Sequence, residues 1–173
     1  MNAKTMMRKV VFGLLLLTGC VGTQTVDDPP SVHNFDATRY MGVWYEIARM
    51  PQWFEKDLDH VTANYALEDG KLRITNRGFR NGKAKIATAV GHFADARDVG
   101  AFRISFFRPF YGDYRIIHLS PSYDEAIVTT GSPDALWILS RTAKLTPKRL
   151  NELIQKAKRW GFDITALEYP SQR

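Results

Sequence analysis

The amino-acid sequence predicts an all-β domain: eight antiparallel strands in an up-and-down barrel or a sandwich, with one C-terminal α-helix packed outside. Three observations lead there. From Phe35 onward, period-two runs follow one another at short, regular spacing, separated by turn signals. Only one segment carries helical spacing, and it comes after the last of those runs. The 173 residues are 45% hydrophobic and include ten Phe, seven Tyr and four Trp, which suits one ordinary core and excludes a disordered chain.

The strands follow in order. Gly42 to Met50 (GVWYEIARM) is closed by Pro51, and Val61 to Leu67 (VTANYAL) turns through Glu68-Asp69-Gly70 into Lys71 to Phe79. Asn81-Gly82 is a tight-turn dipeptide leading into Ala84 to Ala94. Ala101 to Phe107 passes through Pro109 and Gly112 to Asp113 to Leu119; Glu125 to Thr130 turns at Gly131-Ser132-Pro133-Asp134 into Ala135 to Arg141. Eight strands are too few for an aqueous pore, and a uniform apolar outer band is missing. Thr146 is a good N-cap with Pro147 at the first helical position. Leu150, Leu153, Ile154 and Ala157 form one apolar stripe, and Gly161 stops the helix. A last short strand is expected at Ile164 to Tyr169.

Residues 1–19 read as an address. Lys4, Arg8 and Lys9 precede the apolar run Val10 to Leu17, which is too short to span a bilayer. The run ends in Leu17-Thr18-Gly19-Cys20, which resembles the lipobox of bacterial lipoproteins. That resemblance implies cleavage before Cys20, lipidation of the cysteine and a membrane anchor of two or more acyl chains. Val21 stands where an Asp resembles an inner-membrane retention signal, so the outer membrane is implied. Residues 20–34 are a polar tether containing Pro29-Pro30, and 35–173 form the domain.

The charge count then changes meaning. The whole chain carries 24 basic and 18 acidic residues, a net +6, but three of the basic residues lie in 1–19. The remainder is +3, without a block of like charge, so nucleic acid is dropped as a partner. The lone cysteine excludes an internal disulfide and a thiol-based zinc site. His33, His60, His92 and His118 lack metal-ligand spacing, and neither a nucleophile-elbow nor a phosphate-loop motif occurs. No cofactor, metal ligand or catalytic residue is expected.

The stretch FDATRYMGVWYEIARMP, the turn FFRPFYGDY and the segment LWILSR before a helix closely resemble the lipocalin family. The likeness is to bacterial outer-membrane lipocalins of the Blc type and to apolipoprotein D-like lipocalins, and it covers residues 33–170. It implies an eight-stranded barrel that holds a small lipophilic ligand. Gly42 and Trp44 match the family's first motif, and Arg141 is the distant arginine. The resemblance implies a structural role for these three: Trp44 plugs one end of the barrel and Arg141 lies across its indole, a contact worth about 0.5–2 kcal/mol. The second family motif departs here, because Leu119-Ser120-Pro121-Ser122-Tyr123 lacks its aspartate.

Strand parity gives candidate lining sets: Ala63 and Tyr65; Leu72, Ile74 and Asn76; Phe102, Ile104 and Phe106; Tyr114, Ile116 and His118; Trp137 and Leu139. These residues fill a core or surround a pocket. The resemblance favours the pocket and implies ligand contact for the positions matching Tyr65, Asn76, Tyr114 and Trp137; Ile74, Phe106, Ile116 and Leu139 complete the candidate set. On the fourth strand, Ile86/Thr88/Val90 and Ala87/Ala89/Gly91 compete for the inward face. Glu46 shares parity with Trp44 and Ala48 and needs a partner if buried; it is expected to form a salt bridge near the closed end with an arginine from a neighbouring strand, the alternative being a ligand contact. Trp53 and Phe54 belong at the open mouth, to meet an acyl chain, touch a membrane or cover a rim. The expected ligand is a fatty acid or a lysophospholipid, stored or carried by a protein anchored in the outer membrane and facing the periplasm; a homodimer is compatible. The alternatives are a lipocalin-fold enzyme using Tyr65, Asn76 or His118 on a lipophilic substrate, and a structural envelope lipoprotein with a filled barrel.

Overall fold

The computed structural model describes residues 28–172, so the expected signal segment, Cys20 and most of the tether lie outside the described residues. A short helix α1 (Ala37–Tyr40) precedes eight strands: β1 (Gly42–Arg49), β2 (Asp59–Glu68), β3 (Lys71–Arg80), β4 (Lys83–Phe93), β5 (Ala101–Phe107), β6 (Phe110–Leu119), β7 (Glu125–Thr129) and β8 (Leu136–Ser140). Helix α2 (Pro147–Arg159) follows. Every strand pairs antiparallel with its sequence neighbours, and β8 returns to β1, which closes the barrel. Of the two architectures left open by the sequence, the barrel is therefore the observed one.

Two apolar layers result. Trp44, Tyr65, Leu72, Ile74, Phe102, Tyr114 and Leu139 pack inside the barrel. Outside, Leu153 and Ala157 of α2 pack against the wall at Ile47, Ile117, Ile127 and Ile138. Thr146 caps α2, its hydroxyl accepting from the Arg149 amide at 3.3 Å. The short α1 was not foreseen. Asp36 starts it by accepting from the Thr38 amide at 2.8 Å, and it carries Tyr40 beneath the barrel floor.

The expected last strand at Ile164–Tyr169 is corrected. Asp163 caps a 3-10 turn at Ile164–Ala166, and Glu168 makes only an isolated bridge to Arg49. Beyond Tyr45 one edge of β1 is left unpaired by β2, and the 3-10 turn just before Glu168 lets the chain meet that edge at Arg49 alone.

Register decides the faces. Leu72, Ile74 and Asn76 lie opposite Gly91, Ala89 and Ala87, so those small residues share the inner face of β4 while Ile86, Thr88 and Val90 point outward. Irregularities at two places reverse the expected parity. In β1 the register shifts between Glu46 and Ala48, so Ala48 joins the outer layer and Arg49 takes an inward position opposite Trp137. In β6 it shifts between Ile116 and His118, which turns His118 out toward α2. There its Nδ1 lies 3.2 Å from Lys156 Nζ, and burial together with Lys156 and Arg149 lowers its pKa to about 4. His118 is thus a neutral acceptor under the helix, remote from the expected lining set.

Candidate functional site

The barrel interior has two chemically different ends. The closed end lies under α1 and the β2–β3, β4–β5 and β6–β7 connections. Its centre is Trp44, fully buried. Trp44 donates through Nε1 to the Tyr40 carbonyl at 2.8 Å, and the Arg141 guanidinium sits 4.0 Å above its ring. Arg141 also donates to the carbonyls of Val43, Tyr40 and Met41 at 2.8, 3.0 and 2.8 Å. Gly42 makes this approach possible: its φ of +96° favours glycine, and a Cβ there would stand 3.3 Å from an Arg141 nitrogen. Above the plug, three tyrosines share their hydroxyls. Tyr114 Oη lies 2.7 Å from Tyr40 Oη and 2.8 Å from Tyr65 Oη. Burial raises the pKa of all three, so they remain neutral.

The aspartate missing from the second motif is replaced by a different set of contacts. Ser120 Oγ accepts from the amides of Asp124 and Glu125 at 3.0 and 3.1 Å and donates to the Asp124 carboxylate. Tyr123 Oη accepts from the Asp36 amide at 2.9 Å, and Arg39 stacks 4.0 Å above the Tyr123 ring.

The middle of the barrel is lined by small residues. Asn76 lies opposite Ala63 on β2 and Ala87 on β4, with Ala89 one step further along. Its Oδ1 is buried without a hydrogen-bond partner. An acceptor in that state costs free energy until a donor arrives.

The mouth is polar on one side. Glu46 points inward and is buried; its partner is Arg49 of its own strand, at 2.8 Å, rather than the expected arginine of a neighbouring one, and the pair lies at the mouth end of β1 rather than near the closed end. The irregularity in β1 brings both side chains to the same face. Arg49 also donates to Glu168 at 3.0 Å and to the Glu55 carbonyl at 2.9 Å. Glu55, from the loop after β1, accepts from Trp137 Nε1 at 2.9 Å. Two carboxylates thus share one guanidinium beside the buried Glu55. Burial, with the nearby Glu55 charge, pushes the pKa of Glu46 up to about 8, and burial raises Glu55 as well.

Of the expected ligand set, Tyr65, Ile74, Tyr114, Ile116 and Leu139 are buried inside, Asn76 and Trp137 are half-buried, and Phe106 stands 40% exposed at the rim. Near it, β4 and β5 stop pairing after Val90 and Ser105. A cleft of about 260 Å³ opens there, lined by Ile74 and Ala89 from the inner face, Thr88 and Val90 from the outer face, and Ser105 and Phe106. Sequence reasoning missed Arg49, Glu55 and Glu168 as parts of the mouth; their contacts span long loops that periodicity does not report. Among the described residues, no group of His, Cys, Asp and Glu could hold a metal ion.

A closed eight-stranded antiparallel barrel, plugged at one end and lined by small and aromatic side chains up to a polar mouth, defines the class of small cup-shaped β-barrels. Residues 35–172 match the model of the Lipocalin-like domain, and the chain belongs to the lipocalin family. It is 41% identical over 144 residues to the outer membrane lipoprotein Blc of Escherichia coli, covering 82% of this chain and 81% of that one. The outer membrane lipoprotein Blc of Vibrio cholerae is 36% identical over 163 residues, with 92% and 94% covered. Among solved structures, insecticyanin from Manduca sexta superposes with a TM-score of 0.68 at 19% identity, covering 84% of this chain and 85% of that one.

Proposed function

We propose that this lipocalin binds a single-chain amphiphile, a lysophospholipid or fatty acid, in its barrel, as a lipid-anchored protein of the bacterial outer membrane facing the periplasm. The outer-membrane lipoproteins it resembles support the location, and Cys20 is the proposed anchor. The observation that carries the ligand reading is the unpartnered Asn76 Oδ1 within a band of Ala63, Ala87 and Ala89, below a mouth of buried ionisable groups. The acyl chain would lie against Ile74, Ile116, Leu139 and the rings of Tyr65 and Tyr114, gaining roughly 0.8 kcal/mol per buried methylene. Phe106 and Trp137 would flank the entrance.

The orphan acceptor also ranks the two ligands. A lysophospholipid carries a glycerol hydroxyl that can donate to Asn76, whereas an ionised fatty acid offers no donor. One hydrogen bond of about 0.5–1.5 kcal/mol predicts that Asn76→Leu weakens lysophospholipid binding about 2- to 12-fold. Titration of the delipidated protein with each lipid, followed by tryptophan emission, checks this. Absence of saturable binding by any acyl ligand to folded protein would overturn the proposal and favour a filled structural barrel. The enzyme alternative loses support because His118 faces α2, away from Tyr65 and Asn76.

A further inference from the structure

Six of the eight large apolar side chains that stand exposed among the described residues are gathered on the mouth: Trp53, Phe54, Ile86, Phe106, Phe107 and Phe110. The most open of them are Trp53 (88%) in the β1–β2 connection, Ile86 (65%) near the start of β4, and Phe107 (81%) and Phe110 (77%), which flank the β5–β6 turn. Arg80, the last residue of β3, ties the β3–β4 turn to the β1–β2 connection by donating to the carbonyls of Lys56 and Phe54 at 2.9 and 3.3 Å. These side chains do not form a buried rim. They project from the end of the barrel where strand pairing stops.

Their surroundings are basic. From 77 to 94 the chain carries Arg77, Arg80, Lys83 and Lys85 and no acidic residue, and from 104 to 112 its only charge is Arg108. None of these five cations enters an ion pair among the described residues. The exposed acids near the mouth, Asp57, Asp59, Asp134 and Glu168, lie in the β1–β2 connection, at the start of β2, in the β7–β8 connection and in the C-terminal segment, where Glu168 pairs with Arg49.

Aromatic side chains beside unpaired Lys and Arg suit an interface with hydrocarbon on one side and phosphate on the other. We propose that this arc of the mouth docks onto the surface of an anionic phospholipid bilayer: Trp53, Phe107, Phe110 and Ile86 enter the headgroup–acyl boundary, and Lys83, Lys85 and Arg108 contact lipid phosphates. A polar protein surface would leave those four side chains in water. A second copy of this chain would bring the same five cations face to face, which opposes self-association through this arc. Docking also sets the cleft between β4 and β5 against the bilayer. Docking does not depend on a loaded barrel, so it and the ligand reading fail separately.

The test uses the full chain as its bacterial host processes it. The protein is incubated with vesicles of phosphatidylcholine alone or mixed with phosphatidylglycerol, part of the lipid carrying brominated acyl chains. Trp53→Phe isolates the emission of Trp53 from that of Trp44, Trp137 and Trp160. Any N-terminal lipid is the same in every variant. The expected result is quenching of Trp53 in phosphatidylglycerol vesicles, with loss of that quenching in phosphatidylcholine alone, in Lys83→Glu/Lys85→Glu and in Phe107→Ser/Phe110→Ser. Equal quenching in both lipids and all variants, or none in either, overturns the proposal. So does concentration-dependent self-association in lipid-free solution that shields Trp53 from iodide, which would assign the arc to a second copy.

Discussion

The two ends of one barrel treat polar groups in opposite ways. At the closed end the Trp44 indole, the Arg141 guanidinium and three tyrosine hydroxyls all have partners. Toward the mouth, Asn76 Oδ1 and Ser105 Oγ have none, two carboxylates share Arg49 beside the buried Glu55, and large apolar side chains face solvent. The same eight strands supply both ends, so the contrast lies in side chains and connections rather than in topology. It teaches where the fold keeps its stability and where it leaves interactions unmade. The satisfied end holds the barrel shut without a disulfide, and the unsatisfied end retains capacity for a ligand.

The contrast breaks most visibly at its two extreme tryptophans. Trp44→Ala removes a fully buried ring and orphans the stacking face of Arg141, with an expected loss of about 3–5 kcal/mol. Trp53→Ala, at 88% exposure, is expected to change stability by no more than about 0.5 kcal/mol. Urea denaturation of both variants measures the pair. Similar losses for the two would erase the distinction between the ends.

The next effect sharpens the comparison through pH. Glu46 titrates at about 8 in the fold, against 4.5 for an ordinary glutamate, chiefly because it is buried and secondly because Glu55 is near. Between those values the native state holds a proton that the unfolded chain has released. The stability from this linkage is complete below about 4.5 and is lost as pH rises through about 8. Glu46→Gln keeps an acceptor for Arg49 but removes the titration. Urea midpoints at acid, neutral and alkaline pH are expected to fall more steeply for the natural protein than for the variant. Parallel slopes would show that Glu46 is already ionised in the fold. The closed end supplies no comparable term, because its tyrosines stay neutral throughout this range.

How much of this was legible in the sequence follows the same division. The strands and α2 were readable because period-two runs, Asn81-Gly82 and the Thr146-Pro147 start are local signals. Gly42, Trp44 and Arg141 stood out through the resemblance carried by their motifs. The mouth was read less completely. An irregularity in a strand has no residue signature, so the shifts at Glu46/Ala48 and Ile116/His118 defeated parity and hid both the Glu46–Arg49 pair and the outward turn of His118. Glu55 and Glu168 arrive from a loop and from the C-terminal segment, and only closure of the barrel brings them to Arg49. The face of β4 became decidable once its register with β3 was known.

The smallest effect concerns the three tyrosines whose hydroxyls hydrogen-bond one another, two of which, Tyr65 and Tyr114, the resemblance places among ligand contacts. Tyr114 stands between Tyr40 and Tyr65. Tyr65→Phe removes one terminal bond and leaves the Tyr40–Tyr114 pair, so its expected cost is about 1 kcal/mol. Tyr114→Phe deletes the central oxygen and both bonds it makes, leaving Tyr40 and Tyr65 only one another, so it is expected to cost more than Tyr65→Phe, up to about twice as much. If a ligand touches these residues through their rings alone, Tyr65→Phe leaves lysophospholipid affinity within about threefold of the natural value, less than one hydrogen bond's worth. A larger loss of affinity, with stability barely changed, would move the Tyr65 hydroxyl from the closed end's internal network to the ligand's side. The boundary between the two ends would then fall below Tyr65 rather than above it.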